Sequence, residues 1–266
     1  MTIGLIIIGD EILSGKRADK HLPKLVELLN GRGLQLGWAE LIGDDPERIV
    51  ACLRRSFSTG DIVFVCGGIG ATPDDHTRQA AAAALGTPLA LHPEAKQKIQ
   101  EIIGDSAREA GVSVDFASAE NLQRLKMGEF PLGAEIVPNP FNKIPGFSIK
   151  NGETSAHYFL PGFPVMAAPM MEWILDTYYR QLFHQVARME RAVLVYEVAE
   201  SLLTPLMEQI EVAFPLVRIF SLPSMGDALT RRHIELGVKG EPNETDAAFH
   251  YLLNELNRLG AEFINV

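Results

Sequence analysis

The sequence predicts an α/β protein with a mostly parallel sheet flanked by helices, followed by a small α+β domain. Two unbroken apolar runs, Ile3 to Ile8 and Ile62 to Cys66, are typical of strands buried on both faces of a parallel sheet. Stretches with helical periodicity separate the predicted strands, as expected of an α/β fold. From about residue 190 the predicted order becomes strand, helix, strand, strand, helix, strand, which is the split pattern of ferredoxin-like modules and gives a ferredoxin- or KH-like unit.

The first strand leads into an acidic loop that carries Asp10 and Glu11. Ligands of open α/β sheets bind beyond the carboxyl ends of the strands, so both carboxylates are expected near a site. A role only in capping a turn or helix stays open for both. Apolar spacing then predicts a helix over Asp19 to Leu29 and a strand over Leu34 to Ile42.

A further helix is predicted after the turn Gly43-Asp44-Asp45-Pro46, because proline favours the first turn of a helix. Its apolar stripe extends from Ile49 to Phe57. The turn places the carboxylate of Asp44 just after a predicted strand.

The central strand runs directly into a glycine-rich loop that contains Gly67, Gly68 and Gly70. Glycines let the backbone turn tightly and leave amide N–H groups uncovered, as a loop that approaches a phosphate requires. Glycine-rich turns between a strand and a helix are also common without a ligand. The loop is therefore a candidate phosphate site.

A helix is predicted to begin at Thr72-Pro73, with Asp74 and Asp75 in its first turn. These carboxylates either cap the helix or hold a divalent cation such as Mg²⁺ against a phosphate on the glycine loop. Strand-to-helix loops of a parallel sheet emerge at one edge, so Asp10, Asp44 and Asp75 are expected to converge there.

The rest of the first domain is predicted to hold helices, turn-rich loops and two short strands. The helix after the glycine loop is predicted to continue through Ala80 to Leu85, and further helices are predicted at His92 to about Gly111, Asn121 to Met127 and Val165 to Leu182. The loops are Pro131 to Ala134, Asn139 to Gly146 and Leu160 to Pro164, and the strands are Glu135 to Val137 and Ala156 to Phe159. Proline turns beyond strand ends either terminate the strands or form a rigid pocket wall.

A linker near residues 184–190 divides the chain into predicted domains at residues 1–183 and 190–266. The second domain contains no glycine-rich phosphate loop and no cluster of carboxylates in its sequence. We therefore predict an interaction or dimerisation role for it, although such a fold alone defines no function.

Composition narrows the possible partners and the compartment. The net charge is −10, which argues against nucleic-acid binding but is compatible with a small phosphorylated ligand held by local amides. The two cysteines, Cys52 and Cys66, are expected to be reduced. No signal peptide pattern is present, and no apolar run reaches the roughly 18 residues of a membrane span. A cytoplasmic protein without membrane contact is expected.

Four motifs resemble the MoaB/Mog molybdopterin-binding domain family. They are GDEILSG from Gly9, GDD from Gly43, GGIGATPDDHT from Gly67 and LPGFP from Leu160. The resemblance covers roughly residues 1 to 180 and is strongest to the amino-terminal part of CinA proteins, whose middle module the second domain resembles. The sequence ends before the carboxyl-terminal amidase domain of longer CinA proteins, so deamidation of nicotinamide mononucleotide is not expected.

The resemblance implies a three-layer fold with a pocket at the carboxyl edge of the sheet. Family members join molybdopterin to AMP from ATP, and CinA-type domains carry out metal-dependent hydrolysis of ADP-ribose-like pyrophosphates. It also implies residue roles. The glycine loop cradles phosphate, and the acidic positions used in adenylyl transfer match Asp44 and Asp75. The rest of the acidic motif is formed by Asp10, Glu11 and Asp74. The ligand-binding motif includes Thr72 and Thr77, and the loop that closes the pocket matches Pro161 and Gly162.

The expected reaction is Mg²⁺-dependent attack of water on a pyrophosphate. Asp44, Asp74 and Asp75 would hold the metal, and Asp10 or Glu11 would orient the water. Two alternatives remain open. One is adenylyl transfer to molybdopterin, which needs a second pocket and basic residues that are few near the motifs. The other is a non-catalytic protein that binds a nucleotide or pterin phosphate.

Two departures from the family pattern indicate an altered substrate or a catalytically reduced member, and the first of them motivates the non-catalytic alternative. Ile69 and Ala71 stand where the family usually has Thr and Pro, which removes a hydroxyl near the anion. The run FNKI at residues 141–144 replaces a smaller, glycine-containing turn and is expected to reshape the pocket. The resemblance implies an oligomer, commonly a trimer for the Mog-type domain, and a dimer imposed by the added domain stays open as the alternative, so a homo-oligomer of undefined size is expected.

Overall fold

The computed structural model describes residues 2–152, 154–185, 189–227 and 230–266. The chain forms two compact units, Met1–Phe183 and His184–Val266. Residues 186–188 of the predicted linker lie outside the described residues. Within the described part of the chain, no helix is long and apolar enough to cross a membrane.

The first unit is built around a six-stranded sheet with the order β2-β1-β3-β8-β7-β6. Its strands are β1 (Ile3–Ile8), β2 (Trp38–Ile42), β3 (Ile62–Cys66), β6 (Glu135–Val137), β7 (Gly146–Lys150) and β8 (Ala156–Leu160). The first four strands in this order run parallel, whereas β7 pairs antiparallel with both β8 and β6. A separate antiparallel pair joins β4 (Leu89–Leu91) to β5 (Glu129–Pro131). The predicted mostly parallel sheet is confirmed.

Helices cover both faces of the sheet. The helices are α1 (Asp10–Leu13), α2 (His21–Asn30), α3 (Pro46–Phe57), α4 (Thr77–Leu85), α5 (Pro93–Ala110), α6 (Ala119–Leu125) and α7 (Pro164–Tyr178). Short 3₁₀ turns follow α6 at Lys126–Gly128 and α7 at Arg180–Leu182.

The apolar run of β1 serves both cores because successive side chains point to opposite faces. Leu5 packs in the core that holds Leu25 of α2 and Met170 of α7, whereas Ile6 packs in the core that holds Leu53 of α3. The unit therefore has the three layers expected of the resemblance.

The second unit is a four-stranded antiparallel sheet with two helices. Its elements are β9 (Met189–Tyr196), α8 (Glu200–Ala213), β10 (Val217–Ser224), β11 (His233–Gly240), α9 (Pro242–Arg258) and β12 (Phe263–Asn265). The strand order β10-β11-β9-β12, with every pairing antiparallel, is that of a ferredoxin-like fold. Residues of both helices, such as Leu206 and Leu252, share its core with Val193 and Leu236. The predicted split pattern is thus confirmed.

Some predicted elements are wrong. The helix expected from Thr72 begins only at Thr77, because Asp75 accepts the backbone N–H of Thr72 and holds residues 72–75 in a turn. β2 begins at Trp38 instead of Leu34. The strands β4, β5 and β7 were not predicted.

Candidate functional site

A cavity of about 470 Å³ lies beyond the carboxyl ends of β1, β3 and β8. Its polar lining includes Glu11, Arg17, Asp44, Thr72, Asp74, Asp75, Asn139 and Asn142. Its remaining lining includes the loop from Gly67 to Ala71, the residues Pro161 to Phe163, and Met127, Ile144, Pro145 and Met166. Segments separated by more than a hundred positions in sequence therefore form one cavity at the edge where ligands of such sheets bind.

Gly67 makes the turn that starts the glycine loop. Its φ is +111°, and a side chain there would place a Cβ 2.0 Å from the Ile8 carbonyl oxygen, so only glycine fits. Its own N–H donates to the Leu160 carbonyl at 3.0 Å. The expectation that Gly67 offers its amide to phosphate therefore needs correction, since this residue shapes the loop instead.

The next four residues carry the amides that remain open. Among the hydrogen bonds that join described residues, none is donated by the backbone N–H of Gly68, Ile69, Gly70 or Ala71. Successive unpaired amides in a turn form a concavity suited to anions. The hydroxyl lost at Ile69 leaves this row intact, and the Ile69 side chain is buried in the core.

The buried residue Thr77 binds two carbonyls of the same loop. The N–H of Thr77 donates to the Gly68 carbonyl at 3.0 Å, and its hydroxyl donates to the Gly67 carbonyl at 2.9 Å. Thr77 is fully buried and does not line the cavity. Its predicted contact with a ligand is therefore replaced by a supporting role beneath the loop.

Arg78 also supports the loop from inside the protein. This side chain is only 3% exposed, and its Nη2 donates to the Gly70 carbonyl at 2.6 Å. Nη1 donates to the carbonyls of Lys126 and Glu129. At an exposed position, Gln123 Nε2 donates to the Ala71 carbonyl at 2.7 Å. The loop is thus fixed through its carbonyls, which leaves its amides for a ligand.

Asp10 and Asp44 are tied to each other across two strand ends. The N–H of Asp10 donates to Asp44 Oδ2 at 2.8 Å, and the N–H of Asp44 donates to Asp10 Oδ1 at 3.3 Å. Asp44 lines the cavity with Glu11, whereas Asp10 does not. The structure therefore brings the acidic loops together, as the sheet topology predicted, but assigns Asp10 to positioning.

The carboxylates around Asp44 repel one another. Burial raises the pKa of the Asp44 carboxyl above its ordinary value, and the charges of Asp10, Glu11 and Asp74 raise that pKa further. By contrast, the polar side chain of Thr72 and the backbone N–H of Asp74 lower the pKa of Asp74, while the Thr72 hydroxyl itself donates to Asp75 Oδ2. The unbalanced negative charge favours a bound cation.

The carboxylate oxygens around Asp44 suit Mg²⁺, which binds hard oxygen ligands. Across the described ranges, no three His, Cys, Asp or Glu side chains are grouped closely enough to hold a metal by themselves. The expected trio Asp44, Asp74 and Asp75 is therefore not a complete site. Mg²⁺ usually takes one or two carboxylates together with substrate phosphates, and this arrangement fits that pattern.

Pro161 and Gly162 lie against the glycine loop. A Cβ on Gly162 would lie 3.3 Å from the Cα of Gly67, so this position demands a small residue. The amides of Gly162 and Phe163 donate no hydrogen bond among the described residues. The loop thus adds two more open donors to the cavity.

Several lining residues were not predicted as individual site residues. Arg17 lies two residues after the GDEILSG motif and provides a cation at the cavity, although few basic residues were expected near the motifs. Phe163 lies inside the recognised LPGFP motif. Asn139 and Asn142 belong to the turn predicted as a possible pocket wall, but their side-chain directions depend on contacts that the sequence does not reveal.

The fold and the cavity define a molybdopterin-binding type of domain. Residues 4–181 match the family described as "Probable molybdopterin binding domain", and the chain belongs to that family. The crystal structure of CinA from Thermoplasma acidophilum, a protein described as of unknown function, shares the fold. It has a TM-score of 0.53 and 24% identity over 68% of this chain and 98% of that one.

Within the family, the chain is similar to CinA-like proteins. The CinA-like protein of Anaeromyxobacter sp. (strain Fw109-5) is 33% identical over 174 residues, which are 65% of this chain and 40% of that protein. The CinA-like protein of Syntrophotalea carbinolica is 28% identical over 221 residues, which are 80% of this chain and 51% of that protein. The matched region thus spans about half or less of these relatives.

Proposed function

We propose that this protein is a Mg²⁺-dependent hydrolase that cleaves the pyrophosphate of an ADP-ribose-like nucleotide. The observation that supports this most is the shared cavity of the open amides at Gly68–Ala71 and the carboxylates Asp44, Asp74 and Asp75. Amides that bind a phosphate and oxygen ligands for a hard cation are the two requirements of such a reaction.

The chain's own groups have distinct tasks in this proposal. The amides of the glycine loop and of Gly162 would hold phosphoryl oxygens and stabilise the charge that builds on them. Asp44 and Asp75, with Asp74 nearby, would hold Mg²⁺ together with the substrate phosphates. When bound, Mg²⁺ would neutralise charge on the phosphoryl oxygens.

Glu11 is the better placed of the two residues expected to orient water, because it lines the cavity and Asp10 does not. Its carboxylate would accept a proton from water as the water oxygen attacks one phosphorus atom. The bond from that phosphorus to the bridging oxygen would break, which yields AMP and ribose 5-phosphate from ADP-ribose.

The test is product analysis by chromatography after incubation of the full chain with ADP-ribose and Mg²⁺. The proposal predicts AMP and ribose 5-phosphate in equal amounts and no release when the metal is chelated. Tight binding of ADP-ribose without product would contradict hydrolysis and indicate a non-catalytic binding protein.

Adenylyl transfer from ATP to molybdopterin is the second candidate. Arg17 favours it, since this cation lines the cavity and is suited to the phosphate of a pterin substrate. Incubation with ATP, Mg²⁺ and molybdopterin would then release pyrophosphate, whereas ADP-ribose would stay intact.

We also propose that the partners of the chain are a small phosphorylated ligand and further copies of itself, with no nucleic acid and no membrane. The net charge of −10 supports the absence of nucleic-acid binding. Analytical ultracentrifugation would test the homo-oligomer, and a monomer at micromolar concentration would contradict it.

A further inference from the structure

The four-stranded sheet of the second unit has its apolar core on one face. Both helices pack on that face, where Leu206 of α8 and Leu252 of α9 share the core with Val193 and Leu236 of the strands. Successive side chains of a strand point to opposite faces, so alternate strand residues form a second face on the other side of the sheet. We call it the open face and define it by Leu194 of β9, Phe220 and Leu222 of β10, Glu235 and Lys239 of β11, and Ile264 of β12.

Apolar side chains line up across the open face because of the strand register. Leu222 lies opposite Glu235, which lies opposite Leu194 on the next strand. Ile264 is paired with Leu194 and continues this row. Leu222 is 56% exposed and Ile264 is 51% exposed. Exposed apolar side chains grouped on one face indicate a surface that contacts another protein.

The aromatic ring of Phe220 lies in the next row of the open face. It packs over Gly237 of β11, since a Cβ on this glycine would lie 2.2 Å from Phe220 Cζ. Lys239 Nζ lies 5.6 Å from the centroid of the same ring. The open face thus combines apolar side chains with charged ones.

The charges on the open face balance, although the whole chain carries a net charge of −10. Among the paired residues of the sheet, the register places Arg218 and Lys239 on this face together with Glu190 and Glu235. The two basic side chains offset the two acidic ones. Because copies of an acidic chain repel each other, a face without net charge is suited to contact with a second copy.

Glu235 and Lys239 are spaced as a two-fold symmetric contact requires. They lie on the same face of β11, two positions before and two positions after Gly237. A two-fold axis that lies between two stacked sheets and crosses β11 at Gly237 reverses the strand direction. It therefore places Glu235 of each copy against Lys239 of the other. Within the described part of the chain, neither side chain has an ion-pair partner of its own.

We infer that the open face binds the open face of a second copy of this chain. The two sheets stack with their apolar rows between them, at the spacing of about 10 Å that is usual for packed sheets. Glu235 and Lys239 form two reciprocal ion pairs, one on each side of the two-fold axis. This inference rests on the homo-oligomer that is part of the proposed function, and it assigns the surface that joins the copies.

The test is sedimentation equilibrium of the full chain over a range of concentrations. Leu222→Glu brings a charge into the apolar row, and Glu235→Lys removes the acidic partner of Lys239. Each variant should weaken the pairwise association constant by at least about tenfold. Leu202→Glu is the matched control, because Leu202 is 65% exposed on α8, a helix of the core face. This control should leave the association constant unchanged.

A double charge reversal separates the proposed contact from a loss of folding. Glu235→Lys combined with Lys239→Glu exchanges the two charges about the axis, so each charge again meets its opposite in the second copy. The double variant should recover most of the wild-type association constant. A double variant that associates as weakly as Glu235→Lys alone would overturn the two-fold contact.

The failures are distinguishable. If the wild type is a monomer at micromolar concentration, the proposed homo-oligomer fails, and the inference fails with it. If the wild type associates but neither Leu222→Glu nor Glu235→Lys weakens the association, the inference about the open face is overturned and the homo-oligomer stands.

Discussion

Asp10 and Asp44 exchange backbone hydrogen bonds through their carboxylates, at 2.8 Å and 3.3 Å, and so link the loops after β1 and β2. Each carboxylate accepts the N–H of the other residue, which holds two negative charges close together. As a result, burial and the charge of Asp10 raise the pKa of the Asp44 carboxyl.

The first prediction concerns this pair. Asp10→Asn keeps an oxygen for the Asp44 N–H and removes one negative charge, so the pKa of Asp44 should fall toward its ordinary value. Because a raised carboxyl pKa makes the ionised form scarcer at acid pH, the variant should bind Mg²⁺ and phosphate at lower pH than the wild type. Titration of the Asp44 carboxyl by carbon-13 NMR measures the shift. Asp45→Asn, which retains a helix cap, should leave it unchanged; an equal shift there would contradict the pairing.

A second prediction tests the support beneath the glycine loop. Thr77→Val removes the hydroxyl that donates to the Gly67 carbonyl at 2.9 Å and leaves a buried acceptor without its partner. We expect a loss of about 1–3 kcal/mol in the free energy of unfolding, measured in urea, and weaker phosphate binding. Thr77→Ser retains the hydroxyl and should restore most of both properties. Equal stability of the Val and Ser variants would show that this hydrogen bond is unimportant.

Arg78 carries a third prediction. Its buried guanidinium donates to carbonyls of Gly70, Lys126 and Glu129, so Arg78→Met leaves several buried acceptors unpaired. The free energy of unfolding should fall by about 2–4 kcal/mol. Arg108→Met, at a side chain that is 80% exposed, should change it by less than about 0.5 kcal/mol. Similar losses in the two variants would contradict the role given to Arg78.

The fourth prediction concerns pH and stability. His157 is fully buried on β8 with its Nε2 against the Ser56 hydroxyl, and burial lowers its pKa to about 3. In the unfolded chain its pKa is near 6.5, so the unfolded state binds a proton that the folded state refuses. The contribution of neutral, buried His157 to the free energy of unfolding is therefore fully present above pH 6.5 and is lost as the pH falls toward 3. Between pH 7 and pH 5 the free energy of unfolding should fall by about 2 kcal/mol for this reason.

Urea unfolding at both pH values checks this value. His157→Gln cannot take up the proton, so its stability should fall by about 2 kcal/mol less than that of the wild type over the same interval. An identical pH dependence in the two proteins would contradict the assignment.

The hydrophobic pattern of the sequence predicted those elements whose formation depends on neighbouring residues alone. The run IVFVC had to be a doubly buried strand because it lacks any polar position, and β3 is buried throughout. β7 was not predicted because it is short and its first residue, Gly146, belongs to the Pro145-Gly146 turn, and because its pairing with β6 and β8 depends on distant residues. The start of α4 was misplaced because Asp75 binds the N–H of Thr72 and delays the helix.

The same division applies to the candidate site. Sheet topology was sufficient to predict that carboxylates from separate loops would meet, because all these loops leave one edge. Individual roles were not predictable. Whether an amide in the glycine loop is open depends on distant partners, such as the Leu160 carbonyl that accepts the N–H of Gly67. The direction of Asn142 likewise follows from its contacts with Asn139 and Ile144.

The central claim is that the cavity carboxylates Asp44, Asp74 and Asp75 and the glycine loop together cleave a pyrophosphate. The most direct measurement is the rate of AMP release from ADP-ribose at saturating Mg²⁺ for the wild type, Asp44→Asn and Asp45→Asn. We predict that Asp44→Asn loses at least about a hundredfold in rate while it folds normally, and that Asp45→Asn stays near the wild-type rate. Equal rates for the wild type and Asp44→Asn, or no release by the wild type, would contradict the account.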